Sequence, residues 1–256
     1  MKELLKEWRK FLKESQSKYF PWIDILSGDD YDDVVTSIRK SKQFKRLGSG
    51  GYREVFEHLS DSNHVIKLSK EESNFSNYAE KVVSDNFPSI FPKVYASHPY
   101  YLWIVSEKCD ILLEEDDEKW KVGLQNSMPR LLDYIKNEIF PKFEAEKGVN
   151  YSYLSHYKLF ILILASIASK TKSEIFYDPI SSLKIPKETY NEMIDYIFNF
   201  GIYYEGWFLD LSKAIQRFGV DANDLKEGNI GQSFEDGTLK IIDSSIFEKK
   251  MGEYSS

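Results

Sequence analysis

The sequence predicts an α+β chain in two lobes: a small antiparallel-sheet lobe holding one helix, followed by a mainly helical lobe. Three observations lead there. From about residue 44 to 108 the chain runs in short β-like segments broken by turns, FKRLGSGGYREVFEHL, NHVIKLS, FPKVYAS and YLWIVSEK, interrupted by one helical stretch from Glu71 to Ser84. From about Met128 to Phe218 almost every segment follows helical spacing. Strand-like sequence returns only near the end, where GNIGQSF and TLKIIDSSIF flank the turn from Glu235 to Gly237.

The elements can be justified in order. Leu4, Leu5, Trp8, Phe11 and Leu12 recur at helical spacing, and Tyr31, Val34, Val35 and Ile38 repeat the pattern after the breaks at Pro21 and Gly28. Each stripe is expected to pack onto the main body; a membrane-surface or partner-binding helix is the alternative. The helical lobe reads as MPRLLDYIKNEIFPKFEAEKG, YLSHYKLFILILASIASK, KETYNEMIDYIFNFG and EGWFLDLSKAIQRFG. Expected boundaries are a helical extension over 1–43, a sheet lobe over 44–108 and a helical lobe over 109–256 that includes a loop at 221–231. The acidic run from Glu114 to Glu118 reads as a solvated loop, with a surface for basic partners as the sharper alternative.

Composition narrows the function classes. A chain of 256 residues can bury a substantial core, and 42% hydrophobic residues with 17 Tyr and 17 Phe repay the entropy of ordering. Lys plus Arg is 34 against 41 for Asp plus Glu, a net charge of −7, so no basic excess neutralises a phosphate backbone and a nucleic-acid partner is not expected. The single cysteine, Cys109, forms no intramolecular disulfide and reads as a small buried hydrophobe in a reducing compartment. The first residues, MKELLKEWRKFLKE, lack the apolar run and cleavage site of a secretory signal, so a cytoplasmic location is expected. Leu159 to Ala168 is about half the roughly 20 residues a membrane helix needs and contains Ser166, so it reads as a buried helix with no membrane partner.

Three motifs carry chemistry. Leu47-Gly48-Ser49-Gly50-Gly51-Tyr52-Arg53-Glu54-Val55-Phe56 places glycines between two strand-like runs, where positive φ and the missing Cβ would let backbone N–H groups approach phosphate oxygens. An ordinary glycine-rich hairpin turn explains the same residues. In His64-Val65-Ile66-Lys67-Leu68, strand alternation puts Val65 and Lys67 on one face and Ile66 and Leu68 on the other, so the ammonium would rise beneath the turn or else reach solvent. Near the carboxyl end stand Asp224-Leu225-Lys226-Glu227-Gly228-Asn229 and Leu239-Lys240-Ile241-Ile242-Asp243. Two carboxylates and an amide, set by a tight loop and a strand end, suit Mg²⁺ held through oxygen while one carboxylate orients a hydroxyl. Acidic turns flanking a hairpin are the plainer reading of that cluster.

Taken together, Gly48, Gly50 and Val55, then Lys67, then D-L-K-x-x-N (Asp224, Leu225, Lys226, Asn229), then Asp243 at the D-F-G position resemble the protein-kinase-like superfamily in order and approximate spacing. The resemblance covers roughly 45–108 and 205–247. It implies a bilobal kinase-like fold with a nucleotide cleft, and ATP and Mg²⁺ as cofactors. By position, Gly48, Ser49, Gly50, Gly51 and Val55 would cover the nucleotide and Lys67 would contact its phosphates. Asp224 would orient the acceptor hydroxyl, Lys226 would neutralise the transferring phosphoryl group, and Asn229 and Asp243 would hold the metal. It also implies a helix glutamate paired with Lys67, Glu80 first and Glu72 second, and adenine contacts through the backbone of Glu107 to Cys109.

The chain departs from the family pattern at several points. Arg53 stands where the loop usually has its third glycine, Ala222 and Asn223 replace the histidine and arginine before the catalytic aspartate, and Ser244 and Ser245 follow Asp243. Only 13 residues follow Asp243, and about 115 separate Cys109 from Asp224. A helical lobe lacking the usual late helices is therefore expected, with peptide recognition moved to another surface. The expected function is ATP- and Mg²⁺-dependent transfer to a protein Ser or Thr hydroxyl, with a protein substrate or partner. A pseudokinase that binds or inhibits a partner and a small-molecule kinase of aminoglycoside type are the alternatives. Truncated kinase-like chains of this sort also resemble bacteriophage proteins, which would put the location in a bacterial host's cytoplasm.

Overall fold

In the computed structural model, which describes residues 18–70, 74–148, 150–151, 153–171 and 185–243, the strand-like runs of the first half form one antiparallel sheet. Its strands are β1 (Phe44–Ser49), β2 (Arg53–His58), β3 (Asp61–Ser69), β4 (Val94–Ser97) and β5 (Trp103–Glu107), in the order β1-β2-β3-β5-β4. The expected helix around Leu4 to Leu12, together with Glu71, Glu72, Ser244 and Ser245, lies outside the described residues. The chain divides into two units, one within Met1–Lys81 and Lys93–Lys108, the other within Val82–Pro92 and Cys109–Ser256.

The first unit begins with helix α1 (Tyr31–Ser41), whose ends are chemically marked. The Asp30 carboxylate accepts from the Asp33 amide at 2.9 Å, Asp32 and Asp33 sit in the first turn, and Arg39 and Lys40 sit in the last, each sign complementing the helix dipole. Its apolar stripe, Val34, Val35 and Ile38, joins Phe20, Trp22 and Leu26 in one core with Phe56, Ile66, Leu68, Trp103 and Val105 of the sheet. Trp103 Nε1 donates to the Leu26 carbonyl at 2.8 Å, and the Trp22 ring stacks on His58 with centroids 5.2 Å apart. The described part of the expected 1–43 extension thus shares the sheet's own core. A second helix, α2 (Phe75–Asn86), starts in this unit.

Residues 82–92, expected with the sheet, belong instead to the second unit. There the Ile241 amide donates to the Ile90 carbonyl at 2.7 Å, Lys240 Nζ donates to the Pro88 carbonyl at 2.8 Å, and the rings of Phe87 and Phe218 meet edge to face. Helices α3 (Asp117–Ser127), α4 (Pro129–Tyr134), α5 (Phe140–Lys147), α6 (His156–Thr171), α7 (Lys187–Tyr204) and α8 (Gly206–Phe218) follow. The segment 128–148, expected as one helix, is divided by a π turn over Ile135–Ile139 in which the Phe140 amide reaches back to the Ile135 carbonyl. Pro141 has no N–H and its ring crowds the preceding turn, which the wider turn relieves. Helix α6 is a core helix, as Leu159 to Ala168 suggested: Phe160 packs on Trp120 and Trp207, and Ser166 Oγ donates to the Ile163 carbonyl at 2.7 Å. No described helix is long and apolar enough to cross a membrane.

The late hairpin forms β7 (Ile230–Ser233) and β8 (Leu239–Ile241), joined by a strand the sequence reading did not anticipate, β6 (Cys109–Ile111), in the order β6-β7-β8. Gly231 permits that pairing, because a Cβ there would lie 2.7 Å from the Cβ of Cys109. Cys109 is only partly buried, contrary to its reading as a buried hydrophobe.

Candidate functional site

The first unit assembles a cation–carboxylate cluster on one face of its sheet. Register pairs Val55 with Lys67, and alternation along β2 puts Arg53 on the same face as Val55. Lys67 Nζ donates to Glu80 Oε1 on α2 at 2.7 Å, with the two side chains 8% and 9% exposed. Arg53 Nη1 donates to the other oxygen, Oε2. Burial alone would push the Glu80 carboxyl up; the Lys67 and Arg53 cations and their hydrogen bonds outweigh it and hold the group below the usual carboxylate range.

Helix α2 is fixed to the sheet by a residue that sequence reasoning missed. Asn77, one turn before Glu80, is fully buried, and its Nδ2 lies within hydrogen-bond reach of the carbonyls of Lys67 (3.1 Å), Tyr101 (2.9 Å) and Leu102 (3.1 Å). A polar residue three positions before the glutamate, on the same helix face, was the available signal.

The glycine segment differs from expectation in its backbone. The described glycines with positive φ are Gly148, Gly219, Gly228 and Gly237, so Gly48, Gly50 and Gly51 do not use the left-handed region. The hairpin gains its irregularity from a register shift between Arg46 and Gly48. The Gly50 amide is spent on the Arg53 carbonyl at 2.9 Å, and Lys70 clasps the turn, its Nζ donating to Ser49 Oγ at 2.7 Å and to the Gly50 carbonyl at 2.8 Å. A Cβ at Gly48 or Gly51 would meet nothing within 4 Å, so no contact among the described residues requires glycine at either position.

The expected adenine contacts at 107–109 meet amides already in use. Glu107 N–H donates to the Lys93 carbonyl at 2.8 Å and Lys108 N–H to the Asn63 carbonyl at 2.9 Å, while Cys109 pairs with Ser233 in the second sheet. Both segments are strand-paired, which a linear reading of YLWIVSEKC does not reveal.

The second unit brings Asp224, Asn229 and Asp243 together through the backbone. Asp224 ends a 3-10 turn (Ala222–Asp224), and its carbonyl accepts from Asn229 Nδ2 at 2.8 Å and from the Lys226 amide at 3.0 Å. The Asn229 carbonyl accepts from the amides of Ile242 at 2.9 Å and Asp243 at 3.4 Å, tying the loop to the end of β8. Gly228 allows the intervening turn with φ +82°, and its amide donates to the Leu112 carbonyl at 2.9 Å. Lys226 is exposed. Beside the loop, Tyr157 on α6 donates its hydroxyl to Glu227 Oε2; burial first, then that carboxylate, pushes the phenol far above its ordinary value. Tyr157 and Glu227 are 70 residues apart, so no local signal joined them.

This donor set fits a small hard cation. Because Asn229 Nδ2 is engaged with the Asp224 carbonyl, the amide is oriented with Oδ1 as its acceptor, and Asp243 adds an exposed carboxylate. Among the described residues no cluster of three or more His, Cys, Asp or Glu could cage a metal. Mg²⁺ commonly takes one or two protein ligands and completes its shell with water and phosphate.

The fold class is α+β, as expected from the sequence: one unit holds the antiparallel sheet with α1 and the first part of α2, and the second unit is mainly helical. No protein-family model matches the sequence, and no curated protein does. Solved structures similar to the chain include an ethanolamine kinase of Plasmodium vivax, at 14% identity and TM-score 0.30 over 86% of this chain and 65% of that one. A choline kinase from Cryptosporidium parvum Iowa II is similar at 17% identity and TM-score 0.31, over 85% of this chain and 66% of that one. The GDP complex of wild-type aminoglycoside 2'-phosphotransferase-IIIa is similar at 12% identity and TM-score 0.32, over 86% and 75%. The chain spans just under two thirds of the length of the first two.

Proposed function

We propose that this chain is an ATP- and Mg²⁺-dependent phosphotransferase acting on a hydroxyl, with a protein serine or threonine as acceptor. The observation that carries the reading is the buried Lys67–Glu80 pair. Removing two charges from water is costly and an apolar pair would pack there at least as well, so a fold that keeps them has a use for an oriented cation. Lys67 contacts the nucleotide phosphates, Asp224 orients the acceptor hydroxyl, and Asn229 and Asp243 hold Mg²⁺, which when bound neutralises charge on the phosphates. Phosphoryl transfer asks a protein mainly to position groups and stabilise charge, which these residue types do. The exposed Lys226, at the position that neutralises the moving phosphoryl group in Ser/Thr kinases, supports the protein acceptor.

The test is incubation with Mg²⁺ and γ-labelled ATP, offering a general protein substrate in one arm and small amino alcohols and an aminoglycoside in another, with the phosphate located by mass spectrometry. Wild-type protein labels the protein arm, and Lys67→Ala and Asp243→Asn each abolish labelling. Labelling confined to the small-molecule arm overturns the acceptor assignment. No labelling in any arm overturns the phosphotransferase reading, and a melting shift with Mg-ATP alone would then leave a nucleotide-binding partner module.

A further inference from the structure

Arg53 is the point at which the sequence departs from the glycine-loop pattern and at which the structure does something the pattern does not require. Its side chain comes from the first residue of β2, that of Lys67 from the neighbouring β3, and both converge on Glu80 of α2, one cation per carboxylate oxygen. A carboxylate held through one oxygen can still swing about its terminal torsion, which is broad and two-fold. Held through both oxygens by cations on different strands, it has one plane. The Arg53 carbonyl also accepts the Gly50 amide at 2.9 Å, so one residue joins the glycine turn by its backbone to the helix by its side chain. The Arg53 side chain is 15% exposed and that of Glu80 9%, so solvent screens the contact little.

We infer that Arg53 is a positioning residue for Lys67: by holding the second oxygen of Glu80 it fixes the carboxylate that sets the lysine, and it couples the glycine turn to that setting. The inference rests on the phosphotransferase reading for its consequence in nucleotide binding, but the placement of Lys67 can be read without any nucleotide. Arg53 therefore takes over, through a side chain, some of the ordering of the turn that a glycine at this position would leave open.

The test compares wild type with Arg53→Ala, Arg53→Lys, Glu80→Gln and the Arg53→Ala/Glu80→Gln double variant. Titration calorimetry gives the Mg-ATP dissociation constant, turnover gives kcat and KM, and acetylation of Lys67 by an activated acetyl ester, followed by mass spectrometry, gives its accessibility in ligand-free protein. Arg53→Ala is expected to weaken Mg-ATP binding about tenfold and to raise KM more than it lowers kcat, the order expected for losing one charge-assisted contact. Arg53→Lys, which keeps the charge and tolerates the fold, should recover most of that loss. In the Glu80→Gln background the Arg53→Ala change should add less than about twofold, since both act through one carboxylate. Lys67 should acetylate several-fold faster in Arg53→Ala than in wild type.

Unchanged Mg-ATP binding in Arg53→Ala, with binding lost in Lys67→Ala, overturns this inference and leaves the functional reading intact. A full tenfold effect that persists in the Glu80→Gln background also overturns it, because Arg53 would then act independently of Glu80. Wild type that binds no Mg-ATP overturns the functional reading, and the acetylation rates then decide by themselves whether Arg53 sets Lys67.

Discussion

Glu80→Ala removes the carboxylate shared by Lys67 and Arg53 and is the sharpest single perturbation of the first unit. The three side chains are 9%, 8% and 15% exposed, so the charges lie in a region of weak screening and the cost needs little discount for solvent. Deleting one partner of a buried ion pair typically costs about 3–5 kcal/mol, because the remaining charge stays desolvated. That is a large share of the roughly 5–15 kcal/mol that holds a domain folded. The sign with pH is also set. The folded-state value of Glu80 lies below its unfolded value, so the carboxylate's contribution is fully present above the unfolded value and is lost as pH falls through the folded one. Urea unfolding followed by far-UV circular dichroism should place Glu80→Ala at least about 3 kcal/mol below wild type near neutral pH. The difference between wild type and Glu80→Gln should narrow steadily below about pH 4. A neutral-pH cost under about 1 kcal/mol, the level of an exposed pair, would refute the claim that the cluster is buried and coupled. So would a wild-type-to-Gln gap that stays constant into acid.

Two further outcomes follow from the second unit. Asn229→Ala loses the 2.8 Å bond to the Asp224 carbonyl and should cost only about 1 kcal/mol in unfolding experiments, while lowering turnover by orders of magnitude; equal, small effects on both would detach Asn229 from the chemistry. Gly201→Ala should destabilise by about 1 kcal/mol, because its Cβ would sit 2.7 Å from the Phe208 ring and overpacking outweighs the helical gain; Gly51→Ala, with open space around its Cβ, is the matched control and should leave the melting temperature unchanged.

Much of the fold was legible where the signal is local. The stripe of Tyr31, Val34, Val35 and Ile38 became α1, the runs around Lys67 and the late hairpin became strands, and Leu159 to Ala168 became the buried part of α6. These follow from periodicity and turn chemistry, which act over a few residues. The π turn ahead of Pro141 had a visible cause in the proline, although periodicity alone reads straight through it. Strand β6 was not legible, because three residues pair only when a partner some 120 positions later is in place.

The candidate site divides in the same way. Residue types and their order, Lys67, Asp224, Asn229 and Asp243 among them, are properties of the sequence, because the chemistry of phosphate and Mg²⁺ selects amines and oxygen donors wherever they stand. The resemblance already implied Glu80 as first choice for the partner of Lys67; the tertiary structure alone decided that Arg53 takes the carboxylate's other oxygen and that the amides of Glu107 and Lys108 are committed to the sheet. It also decided that the glycines of the turn stay out of the left-handed region while Gly228 enters it. The contacts among these depend on which atoms come within hydrogen-bond distance after folding, because a hydrogen bond weakens steeply once its distance or angle departs from a narrow range. Periodicity within a strand or helix sets which face a side chain shares; only the packing of that face against another element sets what it touches.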